Sequence, residues 1–251
     1  MARWSWHIAV FVAVVVIAAS ATLPMGAALA LADARGRGFD YAGAAGTIWG
    51  GAVYDARLGG LRFDRIAALT DRRAMLAGRL RARVIAEGGV AAGTGVVDRS
   101  LWGEAWSMEA AQFTLSLDQL PGLAPRFRAP GAQLEVSMDR VRFENGACVL
   151  AEGRGRTDWL ARGPASGVWL GPDLSGPWVC EDGQLMLKLV GRSQDGQTVR
   201  ADLSPSGNGA TLRVALTGAS PSQGAAARLV GFEDAGPDQL VLRTTVVFAS
   251  G

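Results

Sequence analysis

The sequence predicts a mainly β fold: one N-terminal transmembrane helix followed by a large, curved antiparallel sheet, as an open trough, a sandwich or a half-barrel. Three observations predict it. Apolar and polar residues alternate with period two through most of the chain after residue 33. Asn-Gly and Asp-Gly pairs punctuate those stretches, and such pairs tolerate the positive φ of tight hairpins. From Ile8 to Ala32 there is no charged residue.

That run, at about 1.5 Å per residue, is long enough to cross a hydrocarbon core of about 30 Å. The division expected is a short cytoplasmic tail (1–7), a transmembrane anchor (8–32) and a β-rich domain outside the cytoplasm (33–251). Phe11, Val12, Val14, Val15, Val16 and Ile17 drive insertion, whereas the second half is Ala-rich and carries Pro24. The alternative is a cleaved signal peptide, with Arg3 as its positive region and Ala28-Leu29-Ala30 as its cleavage site. Trp4 and Trp6 fit an interfacial belt.

The strands follow in order as Thr47–Leu58, Gly60–Leu69, Gly78–Ala86, Ala105–Leu117, Ala132–Phe143, Ala147–Gly153, Gly183–Val190, Gln197–Leu203, Ala210–Thr217 and Gln239–Phe248. Leu134, Val136 and Met138 alternate with Gln133, Glu135 and Ser137, giving one buried and one wet face. Glu144-Asn145-Gly146, Asp182-Gly183, Asp195-Gly196 and Ser206-Gly207-Asn208-Gly209 supply turns. Only Leu117–Leu123, cut by Pro121, and Ser222–Val230 read as helical, and Ser166–Pro177 reads as a linker.

Composition excludes more chemistry than it suggests. Lys188 is the only lysine, so the formal charge of +2 comes from arginine; Arg79, Arg81 and Arg83 alternate with Leu80, Ala82 and Val84 as a solvated strand face, and no nucleic-acid partner is expected. His7, the only histidine, lies at the membrane edge, which leaves the domain without a Ser–His pair; there is also no G-x-S-x-G elbow. Gly88–Gly95 (GGVAAGTG) lacks a following Lys-Ser/Thr and reads as turns rather than a phosphate loop. Glu181-Asp182 and Glu233-Asp234 read as solvated turns. Nothing selects a catalytic pair among Asp64, Asp118, Glu135, Asp139 and Asp158. No catalytic, cofactor or metal residue is expected. The tryptophans beyond the anchor, Trp49, Trp102, Trp106, Trp159, Trp169 and Trp178, read as core.

Cys148 and Cys180 are the only cysteines, too few without histidine for a structural zinc site. In an exported chain they pair as a disulfide worth about 3.5–4 kcal/mol by the loop-closure account; in a reducing compartment they would be two buried thiols.

Gly46-Thr47-Ile48-Trp49-Gly50-Gly51, close behind the apolar segment, is similar to the G-T-hydrophobic-W-x-G element of the type II secretion system protein N family. The later order CVLAEGRGRTDWL, GPDLSGPWVC, an Asp-Gly turn, LMLKLVG and the closing AAARLVGFEDAGPDQLVLRTTVVF also resembles that family. The resemblance implies a bitopic inner-membrane protein whose periplasmic β domain assists export of folded proteins across the outer membrane. It implies no catalytic residues, and its partners would be the secretin or inner-membrane platform components. Read physically, GTIWGG is a folding element: Trp49 a large buried anchor, Gly50-Gly51 a bulge or close backbone approach, with docking as a second role for Gly46, Thr47, Trp49, Gly50 and Gly51. Sheet-edge pairing is the contact mode expected with partners. The rival class is an envelope lipid-handling protein whose curved sheet holds acyl chains. A solvent-reachable apolar groove would mark it, and a closed, filled core would mark the first reading.

Overall fold

The structure, a computed structural model, describes residues 22–36, 38–58, 61–120, 122–163, 170–206, 209–229, 231–236 and 238–247. Most of the predicted anchor (8–21), with Trp4, Trp6 and His7, lies outside the described residues, as do Trp169 and the first third of the predicted linker. No helix among the described residues is long and apolar enough to cross a membrane.

The predicted span does not continue as one helix to Ala32. Pro24 is extended, with φ −62° and ψ 144°, and bridges Thr47; Ile48 N–H donates to the Leu23 carbonyl at 3.2 Å. Proline supplies no helical N–H, so a separate short helix α1 (Met25–Leu31) begins after it. Gly26 of α1 packs on Ala44, so this Ala-rich stretch belongs to the β domain.

The strands are β1 (Phe39–Asp40), β2 (Gly43–Thr47), β3 (Gly50–Leu58), β4 (Leu61–Thr70), β5 (Arg79–Glu87), β6 (Ala91–Ser100), β7 (Trp106–Ser116), β8 (Gln133–Glu144), β9 (Ala147–Thr157), β10 (Leu174–Glu181), β11 (Gln184–Arg192), β12 (Thr198–Ser206), β13 (Gly209–Thr217), β14 (Glu233–Gly236) and β15 (Gln239–Val247). Helix α2 (Arg72–Leu76) joins β4 to β5 and α3 (Pro221–Leu229) joins β13 to β14. All fifteen strands form one antiparallel open sheet in the order β1-β3-β4-β5-β6-β7-β8-β9-β10-β11-β12-β13-β15-β14, with β2 beside β3. It is a meander in which nearly every strand pairs with its neighbours in sequence.

Local chemistry explains the turns and the register. Asn145 and Gly146 (φ 50° and 79°) and Asp182 and Gly183 (φ 49° and 75°) make two-residue hairpins of the predicted kind. In β8, Leu134, Val136 and Met138 face inward; a bulge between Met138 and Arg140 then shifts the phase, so the next buried residue is Val141.

The sheet carries two unequal cores. The larger lies against β7 to β15 and includes Leu134, Val136, Leu187, Val199, Val214 and Leu216. The smaller lies under β3 to β6, around Val53, Ala56 and Phe63, with Leu29, Phe39 and Tyr41 packed on it. Leu61 and Leu115 touch both. Segment 117–132 straps the larger core: Leu120, Leu123, Phe127, Ala129 and Ala132 are buried, and Gly122 lies so near the last strand that a Cβ there would be 2.4 Å from the Val247 carbonyl oxygen.

Candidate functional site

GTIWGG is the β2–β3 hairpin. Gly46 pairs with Gly51 and Thr47 with Gly50, leaving Ile48-Trp49 as the turn. Gly46 has φ +83°, and a Cβ on it would sit 2.4 Å from the Gly50 carbonyl oxygen; a Cβ on Gly51 would press on Thr47, Ala45 and Met25 at 2.8–3.0 Å. Both glycines are therefore required by the backbone. Thr70 locks the turn, its N–H donating to the Trp49 carbonyl (3.0 Å) and its hydroxyl to the Ile48 carbonyl (2.7 Å).

Trp49 is half-buried, not the fully buried anchor expected. The physical reason is its place at a turn apex, where the ring gains a cover from the Arg72 guanidinium, 5.1 Å from its centroid. Around the same strand ends, Leu69, Leu76, Leu101 and Trp102 are exposed, Leu76 and Trp102 at 91% and 89%. Trp106, on the edge of exposure, stacks on Phe143 with centroids 4.3 Å apart. The chain arriving from the N-terminal apolar segment joins the fold at this end, through Leu23 and Pro24.

Cys148 and Cys180 form a disulfide between β9 and β10, with Cα atoms 5.4 Å apart.

The third feature is a cavity of about 350 Å³, partly open to solvent, within the larger core. Leu134, Val136 and Met138 of β8, Leu189 of β11, Ala201 and Leu203 of β12 line it from the sheet, and Leu120 and Leu123 of the strap from above. Of the side chains lining it, only Thr157, Ser206 and the indoles of Trp159 and Trp178 carry a hydrogen-bonding group. Thr157 donates to the Gln133 carbonyl (2.7 Å) and Trp159 Nε1 to the Phe127 carbonyl (2.6 Å). Trp178 is 5% exposed, and its Nε1 has no partner among the described residues.

The family model described as type II secretion system (T2SS), protein N matches residues 37–232, which take in the GTIWGG hairpin, the disulfide, the strap and the cavity lining except Val246. The chain belongs to the type II secretion system protein N family. No curated protein and no solved structure matches it.

Membership makes the chain a component of type II secretion, from a family of accessory proteins not known as enzymes. The carboxylates have structural surroundings. Asp158 accepts from the Gln133 N–H (2.9 Å) and from Arg162. Burial works to raise its pKa, but those two partners outweigh it and hold the carboxyl below its ordinary value. Asp118 accepts from the Gly131 N–H and so secures the strap. No group of three His, Cys, Asp or Glu side chains suited to a metal occurs among the described residues.

Two features of this family member escaped sequence reasoning. Arg79 and Arg81 do not merely face solvent: both reach Asp98, a carboxylate 4% exposed, at 3.1 Å and 3.5 Å, and Arg81 continues to Glu109 (3.1 Å), which Arg140 also approaches (3.6 Å). The alternation Arg-x-Arg signalled that face; its acidic partners on β6 and β7 were hidden by register. The tryptophans also divide. Trp159 and Trp178 are core as expected, whereas Trp102 stands in solvent because it follows the end of β6, where no layer covers it.

Proposed function

We propose that the chain is an accessory assembly protein of the type II secretion apparatus, anchored in the inner membrane by its N-terminal apolar segment, with its β domain in the periplasm supporting export of folded proteins across the outer membrane. The family match over residues 37–232 carries this reading. The disulfide supports the compartment, since such bonds persist in oxidising spaces such as the bacterial periplasm. The exposed Leu76, Leu101 and Trp102, with Arg72 and Arg73 beside them, lie at the strand ends where the apolar segment joins the fold. An amphipathic, basic rim there suits a surface held against lipid headgroups.

Partner contact falls to the sheet edges and to this rim. β1 has two residues and β14 four, and β14 is exposed and acidic, so neither offers a long edge to arbitrary strands. Partner proteins of the secretin or the inner-membrane platform are the occupants this reading requires.

The test is site-specific photocrosslinking of the full chain in its native host, from Trp102 and Val247 in turn, with mass spectrometry of the adducts. Secretin or platform components are the expected products. Adducts lacking any secretion component from either position would overturn the assembly role.

A further inference from the structure

We infer that the cavity is a binding site for an aliphatic acyl chain. The inference stands on the cavity and is independent of the assembly role.

Size comes first. About 350 Å³ falls within the roughly 300–1,000 Å³ of small-molecule pockets and is more than twice an apolar cavity of about 150 Å³ that stays dry and admits benzene. Shape comes second. Ala201, Leu203 and Pro205 line the cavity at alternate positions of β12, and Leu134, Val136 and Met138 do the same on β8. Four residues of strand measure about 13 Å, the reach of an extended chain rather than of a compact ring.

Chemistry comes third. A water molecule held inside needs two to four polar partners, roughly. Thr157 and Trp159 have spent their donors on protein carbonyls, so the wall offers no such cluster. The Trp178 Nε1 presents no surface to the cavity, so the lining recognises apolar matter alone. The alkyl chain of a fatty acid or of a phospholipid has this chemistry, with its polar head left at the open side. The apolar lining also supplies the groove that marks a lipid-handling protein, here within a secretion family.

The test is fluorescence titration of the full chain in amphipol with cis-parinaric acid, followed by competition with oleic acid and with phosphatidylglycerol vesicles. Saturable binding is expected. Ala210→Phe, which places a ring in the cavity beside the β12–β13 hairpin, should abolish it, and Leu203→Trp, which fills the cavity from β12, should weaken it at least about tenfold. Competition by oleic acid alone assigns the site to free fatty acid; competition by vesicles as well assigns it to lipid-borne chains. Absence of saturable binding overturns the inference. So does binding that neither variant changes; if Ala210→Phe does not fold, the Leu203→Trp titration decides alone.

Discussion

Cys148 and Cys180 join β9 to β10 beyond the point where their hydrogen-bond ladder ends. The ladder covers only Leu174–Pro177 against Arg154–Thr157, and Pro177 has no N–H to extend it. Cys180 lies three residues further along, and the Cys148 N–H donates past its former neighbour to the Gly183 carbonyl at 2.7 Å. The covalent link thus ties the two strands together where their backbone pairing has ended.

Reduction of the wild-type protein is expected to lower its unfolding free energy by about 3.5–4 kcal/mol on the loop-closure account. Cys148→Ser should match the reduced wild type and show no further loss on reduction. Urea denaturation of both proteins with and without reductant measures this; equal stability of oxidised and reduced wild type would contradict it.

Trp49→Ala should cost about 1–3 kcal/mol, below the roughly 3–5 kcal/mol of a fully buried tryptophan, because Arg72 rather than a packed core covers the ring. Gly46→Ala, strained at φ +83° and crowded by the Gly50 carbonyl, should cost at least as much. Thermal melting of the two variants ranks them, and an unshifted Gly46→Ala curve would refute the backbone requirement.

The two core indoles should behave differently. Trp159→Phe leaves the buried Phe127 carbonyl without its donor and is expected to cost about 1–3 kcal/mol beyond the volume lost. Trp178→Phe removes a buried N–H that satisfies nothing in the protein, so its cost is the lost volume less the relief of that unpaired donor. Parallel urea midpoints give the comparison, and equal losses would remove the distinction.

Asp158 makes stability depend on acidity. Its folded-state pKa lies below the ordinary value, so its contribution is present at neutral pH and is lost as pH falls through the folded value. Asp158→Asn should therefore be less stable than wild type at neutral pH, with the gap closing in acid. Unfolding midpoints measured from neutral to strongly acidic pH test this, and a constant gap would be the contrary result.

Much of this architecture is written in the side-chain pattern. Where large apolar residues alternate with polar ones, as in Leu134 to Met138, one face had to be buried, and the hairpins at Asn145-Gly146 and Asp182-Gly183 form where their sequence allows positive φ. β6 escaped because Gly93 and Gly95 leave no side chains to alternate; they lie beneath Phe113 of the next strand, whose ring occupies the space. β10 was concealed by Pro172 and Pro177, which read as linker residues, and β1, β2 and β14 by shortness or by alanine, glycine and acidic composition. GTIWGG announced the family, but it read as part of one strand, Thr47–Leu58, with a bulge at Gly50-Gly51; the hairpin that turns at Ile48-Trp49 and the exposure of Trp49 depended on what pairs with and covers that segment. The cavity had no sequence signal at all, since a filled core and a hollow one require the same alternation.

The meander order also governs how the chain can acquire its structure. Because successive strands are partners, loop closures are short, and the sheet can grow strand by strand from the N-terminal side as residues become available. The strap is the exception: it follows β7 in sequence, yet Gly122 rests on Val247 of β15. Until that last strand is laid down, the strap lacks its contact at Val247, and an intermediate caught before then leaves that end of the apolar interior bare to its surroundings.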